Sequence, residues 1–192
     1  MGALGGCTWS EPILKIILIN GASGVGKTTL ASALSKRLCE VGWICPDQIW
    51  DVESKGTRRF LELSVERART YHQSITLIDC QARRSDIQAA IELFPGVQFL
   101  EILVTCQSHV RRARLERRLG INMSSAEMTA MDEWAALLDA ETLSSESIRV
   151  DTTHTCKTHF VSFVIEQLLR VVGLQTAKNT CKSTIHKLAG PY

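Results

Sequence analysis

Residues Gly21-Ala22-Ser23-Gly24-Val25-Gly26-Lys27-Thr28, followed by Thr29, gather glycines, hydroxyls and an ammonium group in one short run. Glycine allows the backbone angles that curl successive N–H groups inward around an oxyanion. Lys27 then brings a point charge to the outer phosphates, and Thr28 a hydroxyl to a divalent cation. The spacing is that of a complete Walker A loop, so residues 21–29 are the expected cradle for the phosphates of ATP, with Mg2+ beside them. Asp79 closes an apolar run, Ile75 to Ile78, where a carboxylate would reach the same cation through water. An ordinary helix-capping role is the alternative for Asp79.

A cradle of this kind needs a strand before it and a helix after it. Ile13 to Ile19 is a β-branched run that reads as a strand buried on both faces, as in a parallel sheet. A helix is expected from Lys27 to near Gly42, with Leu30, Ala33, Leu34, Leu38 and Val41 on one face. Trp43 to Cys45, cut by Pro46, reads as a second strand, and Ser54 to Tyr71 as a polar helical segment. Ile75 to Ile78 is the third strand. Ser85 and Gln88 have capping-box spacing for a helix that stops before Pro95-Gly96, and Val97 to Thr105 is the fourth strand. Ser108 caps a basic helix to Arg118; Ser124 and Glu127 form a second capping box, opening an amphipathic helix to near Leu143. Ile148 to Val150 and Cys156 to Val172 complete the series as strand and helix. Strands alternating with helices imply an α/β three-layer sandwich with a five-stranded parallel sheet, whose ligands sit beyond the carboxyl ends of the strands.

The composition narrows the class. In 192 residues, 45% are hydrophobic and 22% charged, an ordinary globular balance. A net charge of +2 gives no global field to recruit nucleic acid or an anionic membrane, so anion binding must be local. The longest apolar stretch is broken by Lys15 and is too short to span a bilayer, and Met1 to Ser10 lacks the pattern of a secretory signal. Seven widely spaced cysteines form no Cys-x-x-Cys pair, and a cytoplasmic setting with reduced thiols is expected. His154 and His159 lack metal-ligand spacing and read as a helix start; Met128, Met131 and Trp134 read as packing residues.

Asp-x-x-Gly and Asn-Lys-x-Asp elements, which a switch GTPase requires, do not accompany the loop. Instead residues 13–172 resemble the small P-loop kinases, both the nucleoside-monophosphate kinases and the gluconate-kinase-like group. Leu77 to Arg83 resembles the Asp-Gly-Phe-Pro-Arg segment of adenylate and UMP/CMP kinases, keeping Asp79 and Arg83 but not the middle. The resemblance gives Arg83 a clamp on acceptor or transferring phosphate. Arg114-Leu115-Glu116-Arg117-Arg118 is similar to the Arg-x-x-x-Arg lid segment, implying that Arg114 packs on the nucleotide base and Arg118 meets phosphate. Val150 to Thr153, with Asp151, resembles the turn that lines the base pocket. Five arginines crowd Arg111 to Arg118, and the remaining three (Arg111, Arg112, Arg117) are expected to be solvated; a basic solvated or RNA-facing stripe is the alternative for the whole helix. Asp47 stands where gluconate kinases place a carboxylate able to take an alcohol's proton, although a turn aspartate after Pro46 is an equal reading. Trp50 is read as a core or stacking residue.

These observations imply a kinase domain over residues 1–172, with a lid region at about 108–143 and a basic polar tail over 173–192. The expected activity is ATP- and Mg2+-dependent transfer to an anionic small molecule, such as a nucleotide or sugar acid, by a monomer or homodimer, with no membrane or nucleic-acid partner. The competing class is a nucleotide-binding regulatory or nucleic-acid-associated ATPase with no small-molecule acceptor.

Overall fold

Five β-branched segments pair in parallel: β1 (Lys15–Asn20), β2 (Val41–Ile44), β3 (Ile75–Asp79), β4 (Gln98–Thr105) and β5 (Ile148–Asp151). The computed structural model describes residues 13–38, 41–44, 56–71, 74–141 and 147–172. The strand order is β2-β3-β1-β4-β5, so β1 is central and its carboxyl end lies between those of β3 and β4. Among the described residues, six helices connect or follow the strands: α1 (Lys27–Arg37), α2 (Thr57–Thr70), α3 (Arg84–Leu93), α4 (Ser108–Leu119), α5 (Ser125–Ala140) and α6 (Lys157–Val172).

Alternation along β1 divides its side chains between two cores. Ile17 and Ile19 pack with Leu30 and Leu34 of α1 and Phe160, Val164 and Leu168 of α6. Ile16 and Leu18 face Phe60, Leu61 and Val65 of α2 and Ile87 and Ala90 of α3. Both faces of the sheet are therefore covered, which is the three-layer α/β sandwich. A third, smaller core joins Leu115 of α4 to Met123 and Met128, with Met131 against it, so these methionines are packing residues.

Several boundaries differ from the sequence reading. α1 stops at Arg37, and Gly42 lies inside β2, opposite Thr76 of β3. Val41, placed by periodicity on the helix face, instead pairs with Ile75, because ladder bonds to β3 outweigh a local helical pattern. Ser85 is not the cap of α3; the helix begins one residue earlier, and Asp86 accepts a bond from the N–H of Arg83 at 3.3 Å. Ser108 is likewise helical, and its hydroxyl donates to Asp132 at 2.6 Å. The box at Ser124 and Glu127 forms as expected, with Ser124 Oγ accepting from Glu127 N–H at 3.2 Å and Glu127 accepting from Ser124 N–H at 2.8 Å. Cys45, Asp47, Trp50 and the tail over 173–192 lie outside the described residues. Among the described residues no helix is long and apolar enough to cross a membrane.

Candidate active site

The loop from Gly21 to Gly26 leaves the buried end of β1 and enters α1 at Lys27. Two of its glycines are required by close approach. At Gly21 a Cβ would stand 2.3 Å from the Val104 carbonyl oxygen, and at Gly24, with φ +81°, 2.8 Å from Arg111 Cγ and 2.9 Å from Leu115 Cγ. The loop is thus wedged between β4 and α4.

At the first turn of α1 the chemical groups converge. Lys27 is only 9% exposed and its Nζ donates to the Ala22 carbonyl at 2.9 Å. Burial holds its ammonium below the usual lysine range, and nearby Asp79 works against that shift. Thr28 Oγ1 donates to Asp79 Oδ2 at 2.6 Å, so the hydroxyl and carboxylate expected to share a cation touch each other directly. Hard oxygen donors, one of them charged, suit Mg2+, which takes one or two carboxylate contacts and completes its shell with water and phosphate. Thr28 and Asp79 fit that ion. Among the described residues no cluster of three or more His, Cys, Asp or Glu side chains offers a separate metal site.

These groups form one wall of a cavity of about 690 Å³. Ser23, Gly24, Gly26, Thr28 and Thr29 line it from the loop and α1, Arg114 and Arg118 from α4, and Thr57 and Phe60 from α2. Arg118 is exposed within it. Arg114 is anchored: Nη2 donates to the Thr152 carbonyl at 2.8 Å, and Nη1 to the Thr152 hydroxyl at 3.0 Å and the Val25 carbonyl at 3.3 Å. The Thr152 hydroxyl in turn donates to Val25 O at 2.7 Å. One arginine and one threonine thereby tie α4, the loop and the turn after β5 together.

Other expected residues are placed differently. Arg83 does not line the cavity; it pairs with Glu141 at the end of α5, Nη2 to Oε1 at 2.5 Å, and this partner holds the Glu141 carboxyl below its usual range. Asp151 is exposed at the end of β5, outside the cavity lining; hydrogen bonds from Thr153, among them its N–H at 2.8 Å, hold the Asp151 carboxyl below its usual range. Arg111, expected in solvent, is 2% exposed and pairs with Asp132 of α5. The reason is that its helical position faces Gly24 and α5 rather than water. Gln81 lines the cavity and its Nε2 donates to Ser23 Oγ at 3.1 Å. Thr57 and Phe60 did not stand out in the sequence, since each depends on contacts made across the fold; Gln81 and Thr152 lay within segments that did, but neither was given a role of its own.

A family profile described as an AAA domain matches residues 17–135. No curated protein matches the sequence. Solved structures share the fold. A sugar kinase from Janibacter sp. aligns at a TM-score of 0.59 and 20% identity, over 86% of this chain and 99% of that one. A gluconokinase from Sinorhizobium meliloti aligns at 0.60 and 19%, over 85% and 96%. The shikimate kinase from Acinetobacter baumannii, solved with shikimate, aligns at 0.56 and 13%, over 83% and 95%.

Proposed function

Since the chain belongs to the AAA-domain family and has the fold of the small P-loop kinases, we propose that it is an ATP- and Mg2+-dependent phosphotransferase acting on an anionic small molecule. The observation that carries this reading is the cavity itself. One wall holds buried Lys27 and the bonded pair Thr28 and Asp79; the other holds Arg114 and Arg118. Phosphoryl transfer spreads negative charge over oxygens, and positioned cations with oriented N–H groups stabilise that charge without covalent chemistry.

On this reading the loop amides and Lys27 grip the β- and γ-phosphates, and Thr28 with Asp79 hold the cation. Bound Mg2+ supplies further neutralisation of phosphate charge. Arg118, with a forked guanidinium, meets the transferring group, and Arg114 packs on the base while fixed at its edge by Thr152. Arg83 would have to leave Glu141 to reach an acceptor phosphate. Asp47 serves as base for an alcohol acceptor, whereas a phosphate acceptor is already an anion and needs none. The neighbours named as sugar, gluconate and shikimate kinases favour a hydroxyl on a polyol or sugar acid.

The experiment is a panel of sugar acids, nucleosides and nucleoside monophosphates incubated with labelled ATP and Mg2+. Transfer of label to one class is expected, with acceptor-dependent ADP release. ADP release that is the same with every acceptor and with none would overturn the kinase reading in favour of an ATPase.

A further inference from the structure

Asn20 is the last residue of β1, 2% exposed, and every hydrogen-bonding position of its amide is used. Oδ1 accepts from the N–H of Gly21 and from the N–H of Ala82, both at 2.9 Å. Nδ2 donates to the Ala82 carbonyl and to Glu101 Oε1, both at 2.8 Å. Glu101 is itself buried, at 6% exposure on β4, and its other oxygen accepts from the Ser147 hydroxyl at 3.3 Å. The orientation of the amide is therefore dictated: two backbone donors and, at 3.9 Å, the Cys80 thiol face its oxygen, and two acceptors face its nitrogen.

The two backbone groups at Ala82 belong to the segment that leaves β3 just after Asp79. Asn20 consequently joins the first residue of the phosphate loop to the stretch that carries the cation-binding carboxylate. A second tie joins Ser23, three residues on in the loop, to Gln81, the residue before Ala82. Beyond Ser23 the loop leads into α1, where Thr28 meets Asp79. We propose that Asn20, oriented by Glu101, is a positioning residue that sets the separation between the phosphate cradle and Asp79. This rests on the reading above, in which those two parts form one nucleotide site.

No other side chain meets the four demands. Aspartate keeps the acceptor for Gly21 and Ala82 but turns an anionic oxygen toward the Ala82 carbonyl and the Glu101 carboxylate. Leucine, of similar shape, leaves all four partners buried and unpaired. Glutamine at position 101 opposite aspartate at 20 would restore one donor, directed the other way, and still accept from Ser147.

The test compares the wild type with N20D, E101Q and the double variant N20D/E101Q. Calorimetry with Mg·ATP, ATP turnover and thermal melting are measured for each. N20D should bind Mg·ATP at least roughly tenfold more weakly, the cost of one buried polar group left unsatisfied. The double variant should regain most of that affinity and turnover, a reciprocal rescue that a general loss of packing would not produce. Wild-type affinity in N20D, or a double variant no better than N20D, would overturn the proposal. Should N20D fail to fold, Asn20→Ser, whose hydroxyl is too short to bridge to both Ala82 and Glu101, decides it: weakened Mg·ATP binding in the folded variant supports the proposal and unchanged binding overturns it. If the wild type takes up no Mg·ATP, the nucleotide-site reading fails first.

Discussion

Across the cavity, two segments are held by opposite means. The loop from Gly21 to Gly26 is fixed largely through backbone: its amides and carbonyls meet Asn20, Thr152, Arg114 and Lys27, and Gly21 abuts the Val104 carbonyl. α4 is fixed by side chains: Arg111 to Asp132, Arg112 to the Met123 carbonyl at 2.8 Å, Arg114 to Thr152, and Leu115 in a small methionine core. A segment held through its backbone forces its residue types, so glycines and the lysine at its end announce it. A helix held through long side chains shares its work among residues that look interchangeable on paper.

The sharpest way to break this comparison is Lys27→Ala. Activity should fall by about a thousandfold in kcat/KM. The melting temperature should hold or rise, because a desolvated ammonium is removed from the interior. Steady-state kinetics and a thermal melt check both; a parallel loss of stability would mean that the lysine is part of the scaffold. Next, Thr28→Val should cost about a hundredfold in kcat and raise the Mg2+ concentration needed for half-maximal rate, read by cation titration.

On the helix the order reverses. Arg111→Ala should lower stability by about 2 kcal/mol in denaturant unfolding, since it empties a packed site beside Gly24 and removes the ion pair to Asp132. Arg118→Ala should leave stability within about 0.5 kcal/mol while lowering kcat about tenfold or more, and Arg117→Ala should change neither. If all three variants behave alike, α4 is a general basic surface and the comparison fails.

The smallest effect concerns pH. Burial holds the Glu101 carboxyl above the ordinary carboxylate range. Its stabilising contribution is complete below the unfolded value of about 4.3 and is lost as pH rises through the higher folded one. Relative to Glu101→Gln, the wild-type melting temperature should therefore drop by a few degrees at most between about pH 4 and pH 7. A constant difference across that range would contradict the assignment.

Much of the fold was legible because β-branched runs and helical periodicity agree with the burial they produce: Ile16 to Ile19 are fully buried, and Leu30 and Leu34 of α1 pack with Ile17 and Ile19. The phosphate loop was legible through residue type and spacing. The boundary at Gly42 was not, since strand pairing with Thr76 is a property of two segments rather than one. Within the site, Thr28, Asp79, Lys27, Arg114 and Arg118 come together as their spacing implied. Arg83 and Arg111 escaped because their positions depend on Glu141 and Asp132, acids far along the chain with no pattern to connect them. Asn20 and Thr152 lay in strand-end stretches where chemistry was expected, but their individual roles escaped: a small polar residue at a strand end shows its worth only when its partners are in place.

The abutment of Gly24 on Arg111 and Leu115 makes the crown of the phosphate loop a pressure point for α4. An acceptor that draws this helix inward would be felt at the triphosphate, and the triphosphate at the acceptor. Linkage requires the two effects to be equal: whatever factor one substrate adds to the grip on the other is returned unchanged.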